Sequence, residues 1–107
     1  MVATAATLDH GTSELAHAGL TTTPSLRVAP PRIAEAPVAL ECTEHQTIEI
    51  GTNRLVLGLI QHIFTKDGLL DPETFHLHQP HWTPIGRMAS PDWYCQTTNL
   101  FESQRPD

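Results

Sequence analysis

Charge is scarce in this chain, and basic charge scarcer still. Asp, Glu, Lys and Arg make up 17% of 107 residues, with six Lys and Arg against twelve Asp and Glu. The formal net charge of -6 gives a field that repels a phosphate backbone and disfavours nonspecific binding to nucleic acid. Seven histidines reduce that imbalance in mild acid, near the ordinary imidazole pKa of about 6.5. Cysteine is limited to Cys42 and Cys95, which fits two free thiols in a reducing cytoplasm. The longest apolar run, Leu55 to Ile60, has six residues, far short of the roughly 20 that a membrane-crossing helix needs. Met1-Val2-Ala3-Thr4 has neither the basic nor the apolar region of a secretory leader. CxxC, HExxH, GxSxG, the P-loop and GxGxxG are all missing, so the enzyme classes that depend on them receive no support.

What is present favours strands and loops. Nine prolines stand beside six glycines, and the mass of 11.8 kDa suffices for one small domain with a modest core. Residues 1–37 are dominated by Ala, Thr and Pro and form an irregular lead-in. One short helix is expected there, over Glu14 to Ala18, capped by Thr12 or Ser13 and ended by Gly19 in a left-handed conformation. From Val38 to Ile50 the pattern has a period of two. Even positions are mainly apolar and odd positions polar, the mark of a strand with one wet face. Glu44 and Gln46 interrupt the apolar face and mark a bulge or bend. Gly51-Thr52-Asn53 then turns the chain into a second extended run, Arg54 to Thr65, which completes a hairpin.

That second run is apolar on both parities, as in a barrel strand packed inside and out. Gly58 leaves room for a close approach by a ligand or another backbone. Beyond Thr74, four prolines and little periodicity indicate a chain laid over a surface, with one short strand around Trp93 to Thr98. A lone hairpin is marginal in water, so the apolar faces call for more strands from elsewhere.

Several residues are candidates for chemistry. His76, His78 and His81 place three imidazoles within six residues, enough in number for a zinc site, but without a nearby acidic ligand after Glu73; a solvated loop is the plainer reading. Cys42 falls on the apolar parity of the first strand, where a thiol packs as a small hydrophobe, while Cys95 beside Tyr94 is unassigned. His62 shares its parity with Val56, Gly58, Ile60 and Phe64, and is either a hydrogen-bonded core histidine or a wall for a flat ligand. Arg87, after Gly86, either clamps a phosphate or carbonyl-rich ring or makes a surface salt bridge.

In order, Pro37 to Cys42, Gly58 to Ile63, Asp67 to Asp71, Pro84 to Arg87 and Tyr94 resemble the C-terminal part of flavin reductase-like proteins with the FMN-binding split barrel. Glu14 to Thr21 and Pro30 to Pro37 resemble the segment preceding it. The resemblance implies an all-β fold, a partial antiparallel split barrel of Greek-key type with an irregular N-terminal segment and a loop-rich C terminus. It implies that residues 38–107 are the C-terminal part of that domain, with the strands of the N-terminal half having no counterpart before Asp9. It further implies FMN as cofactor, NAD(P)H or another electron donor, and a homodimer or a complementing chain. His62, Arg87 and Tyr94 are the residues it places near the flavin, with no catalytic residue or metal ligand assigned. The alternative is a non-catalytic barrel fragment that folds with a partner chain through its strand edges. Two departures stand out: the three histidines at 76, 78 and 81, and Leu15 where the family has an aromatic residue.

Overall fold

The computed structural model describes residues 3–107; the secretory-leader reading rests partly on Met1 and Val2, which lie outside them. The chain divides into two units, one reaching to Thr65 and one starting at Lys66. Among the described residues the strands are all antiparallel and form three two-stranded sheets, none closed into a barrel. Among the described residues no helix is long and apolar enough to cross a membrane.

In the first unit a single helical turn, α1 (Glu14–His17), follows Ser13, whose backbone is extended and whose side-chain oxygen accepts the Ala16 N–H. Gly19 at φ 69° ends it, in the left-handed region that a residue without Cβ enters freely. A strap then leaves and returns. Strand β1 (Thr22–Thr23) pairs with β2 (Arg32–Ile33), and Ser25 Oγ donates to the Pro30 carbonyl at 2.6 Å to close the tip. At its base both Glu35 carboxylate oxygens accept the Thr21 N–H, at 3.0 and 3.1 Å, and Oε1 also accepts the Thr21 hydroxyl at 2.6 Å.

The main element is a hairpin of two 13-residue strands, β3 (Val38–Ile50) and β4 (Asn53–Thr65), joined through Gly51 at φ 60° and Thr52. The register agrees with the expected hairpin and carries two irregularities, one between Glu44 and Gln46 and one between Glu41 and Cys42. Each leaves a residue unpaired, His45 on β3 and Gln61 on β4, and a one-residue insertion moves every following side chain to the opposite face.

These bulges correct the parity reading. Ile60 pairs with Cys42 whereas His62 pairs with Glu41, so His62 and Phe64 lie on the face opposite Ile60 and Gly58. Glu41, placed on the wet face by simple alternation, is 3% exposed, while Leu40 and Cys42 on the supposed core face are open. Burial follows the strap, which covers Glu41. On β4 the two apolar faces exist as expected but are not covered: Leu55, Val56, Leu57, Leu59, Ile60 and Ile63 are 40% to 59% exposed. Among the described residues only Glu41 and Leu69 are buried.

In the second unit Leu69, 5% exposed, sits at a bridge formed where Leu70 meets Leu77. Asp71 closes the intervening turn, its Oδ1 accepting the Glu73 N–H (2.8 Å) and the Thr74 N–H (2.9 Å). A second hairpin follows, β5 (Ile85–Ala89) with β6 (Trp93–Gln96). The strand around Trp93 was legible; β5 was not. Its five residues contain a glycine and stand between Pro84 and Pro91, so no alternation reveals them, and they extend because β6 supplies hydrogen-bond partners.

Candidate functional site

The sequence candidates separate between the units: His62 belongs to the first, Arg87 and Tyr94 to the second.

Arg87 and Tyr94 are direct partners across the β5–β6 hairpin, which is why residues seven apart meet. Arg87 Nη1 donates to the Tyr94 hydroxyl at 3.1 Å, Nη2 donates to the Pro91 carbonyl at 2.8 Å, and the guanidinium carbon lies 5.4 Å from the ring centroid. The fork is thus fixed at two points. A guanidinium has five N–H donors, so three remain for an anion or carbonyl, and the Tyr94 hydroxyl keeps its own proton to donate. Arg87 makes no salt bridge among the described residues. The donor set therefore fits a phosphate or the carbonyl edge of a flavin ring.

His62 is half-buried beside a pair the sequence did not single out. Glu41 accepts the Leu26 N–H at 2.8 Å and the Arg27 N–H at 2.7 Å, one on each carboxylate oxygen. Burial alone would raise its carboxyl pKa, but those two donors, and behind them the charges of His62 and Arg32, outweigh burial and hold it below the ordinary value. Arg32 in turn lies 3.6 Å from the centroid of the Phe64 ring. Strap and β3 enclose a cleft of about 390 Å³, within the range of small-ligand pockets, with Val28, Pro31, Ile33 and Leu40 among its apolar walls and Arg32 and Glu41 as its charged groups. Glu41 was missed because its partners are backbone amides 14 and 15 residues away, which no side-chain pattern announces.

His78 and His81 stand edge to face with centroids 6.3 Å apart. Among the described residues no three His, Cys, Asp or Glu side chains are grouped to hold a metal ion. Both cysteines are free, Cys42 exposed and Cys95 half-buried. Each faces a glycine: a Cβ on Gly58 would lie 3.0 Å from Cys42 Cβ, and one on Gly86 3.0 Å from Cys95 Sγ. The close approach expected at Gly58 is therefore made by a side chain.

Comparison with known proteins sets these residues in a family. The model of the flavin reductase-like domain matches residues 1–83, and the chain belongs to that family. Arg87 and Tyr94 lie beyond the matched span. An uncharacterized protein of Deinococcus radiodurans is 36% identical over 96 residues, which cover 89% of this chain and 42% of that protein. Among solved structures, 2-nitrobenzoate 2-nitroreductase of Pseudomonas fluorescens superposes with a TM-score of 0.80 at 33% identity, over 88% of this chain and 48% of the other. Nitrilotriacetate monooxygenase component B of Bacillus cereus gives 0.86 at 26% identity, over 95% and 52%. The chain thus spans about half the length of the relatives it matches.

Proposed function

We propose that this chain is the C-terminal part of an FMN-binding split-barrel domain, residues 38–107 with the lead-in 1–37, that takes part in two-electron oxidoreduction in the cytoplasm. The observation that carries the reading is the family match together with the fork of Arg87, held by Tyr94 and Pro91 with donors to spare. In this reading Arg87 takes the flavin phosphate or holds the loop on the cofactor side, Tyr94 hydrogen-bonds beside it, and His62 lines a wall of the pocket. The flavin supplies the hydride chemistry, with NAD(P)H as donor, and the protein supplies position and electrostatics. That the two structural relatives are a nitroreductase and a monooxygenase component favours such a role.

The exposed ribbon favours a second element of the reading. Apolar side chains open on both faces of β4 suit a homodimer or a complementing chain, which would also complete the pocket. The rival function, a barrel fragment that serves only as an interaction module, rests on the same exposure and predicts assembly without flavin.

Titration of the purified protein with FMN and with riboflavin, followed by flavin absorbance and fluorescence, tests the proposal. Saturable binding of FMN, weaker for riboflavin, is the expected result. Assembly into a complex that takes up neither flavin would refute it in favour of the rival.

A further inference from the structure

Glu41 is an unusual residue in this chain. It is 3% exposed where nearly every neighbour on the ribbon is open, and both its oxygens are spent on backbone amides of the strap rather than on a side chain. Charge-assisted bonds of this kind are roughly twice as strong as neutral ones, and a carboxylate accepts them without needing a cation.

The strap has the construction of a moving part. Its base is clamped by Glu35 on Thr21 and by the two-residue β1–β2 ladder, and its tip is closed on itself by Ser25 and Pro30. Pro24, Pro30 and Pro31 restrict the backbone between these points. Among the described residues, the hydrogen bonds that join the strap to β3 are the two to Glu41. The tip is therefore internally ordered and hinged at a clamped base, where Arg32 lies over Phe64 of β4, and its hydrogen bonds to β3 converge on the one residue Glu41, with the cleft between it and β3.

We propose that Glu41 is a latch: its buried carboxylate holds the strap of residues 21–36 closed against β3, and loss of those two bonds opens the cleft while the β3–β4 hairpin stays formed. The inference goes beyond the flavin reading and does not rest on it. The charged groups that act on the latch are His62 on β4 and Arg32 on β2, both of which favour the carboxylate when cationic; Arg27 meets it through its backbone N–H. The lowered pKa of Glu41 follows from the same bonds, so the latch holds at neutral pH and releases only as pH falls through that lowered value.

The test is NMR of the amides of Leu26 and Arg27 in the wild-type protein and in Glu41→Gln. In the wild type both amide protons are expected downfield at neutral pH, moving together in acid with one shared midpoint below the ordinary carboxylate range. Val56 and Ile48, which pair with Thr47 and Leu55 within the hairpin, serve as references and should not move with them. In Glu41→Gln, exchange at Leu26 and Arg27 should be roughly tenfold faster or more, with the references unchanged, since a carboxamide oxygen is an uncharged acceptor. Glu35→Gln, which loosens the base instead, should leave those two amides in place. Amides that do not titrate, exchange in Glu41→Gln within about twofold of wild type, or hairpin amides that open together with the strap would each overturn the latch. Should Glu41→Gln fail to fold, the wild-type titration decides alone.

Discussion

Leu59 offers the sharpest measure of what the ribbon is for. It stands in the middle of β4, pairs with Thr43, and is 55% exposed. Full burial of a leucine side chain stabilises by about 1.5–3 kcal/mol, so the part already covered accounts for roughly 1 kcal/mol, and Leu59→Ala should cost about that if the face stays wet. If a second copy or complementing chain covers the face, the same truncation leaves a cavity in a packed interior and costs about 2–5 kcal/mol. The two cases differ by about 2 kcal/mol, roughly thirtyfold in the equilibrium constant. Urea unfolding at several protein concentrations reads the difference, because a covered face makes the midpoint concentration-dependent. We expect the larger cost, a concentration-dependent midpoint in the wild type, and a weaker assembly in the variant. A cost near 1 kcal/mol with a midpoint indifferent to concentration would refute the view that both faces of the hairpin are interfaces.

The remaining predictions concern single sites. Gly58→Ala should destabilise by about 1–2 kcal/mol, because its Cβ would stand 3.0 Å from Cys42 Cβ, and Cys42→Gly should restore part of the loss; thermal melts of the two single variants and the double variant check the coupling. Glu35, Glu41 and Asp71 all have lowered pKa values, Glu35 through the Thr21 hydroxyl and N–H and Asp71 through the amides of Thr74 and Glu73. A depressed folded pKa means that the unfolded chain binds protons first. Their stabilisation is therefore complete above the unfolded carboxylate value of about 4.3 and is lost as pH falls through the folded values, which denaturation at a series of acid pH values will show. Arg87→Lys keeps the charge but loses the two-point fork, so FMN affinity should fall at least about tenfold, and Tyr94→Phe should fall less; an Arg87→Lys variant that binds FMN like wild type would remove Arg87 from the site. Phe75, exposed and at φ 58°, should tolerate Phe75→Asn with unchanged or slightly raised stability, because asparagine enters that backbone region more readily.

The sequence by itself determined the local elements whose signals are contained within a few residues. Ser13 and Gly19 bracket the helical turn, the alternation after Val38 and the Gly51-Thr52 turn make the hairpin, and the apolar parities of β4 already demanded more covering than a hairpin provides. The ordered segments around Pro37 to Asp71 also carried the family. Tertiary structure alone decided which way the side chains face. The polar Glu44 and Gln46 marked the bulge at His45; the one at Gln61 leaves no mark in composition, yet it exchanges the faces of β4 and puts His62 opposite Glu41. The burial of Glu41 depends on backbone donors supplied by a strap 14 and 15 residues earlier, and the extension of β5 depends on β6. Periodicity reports how a strand would face a flat partner, whereas register, bulges and long-range backbone bonds are settled only when the segments meet.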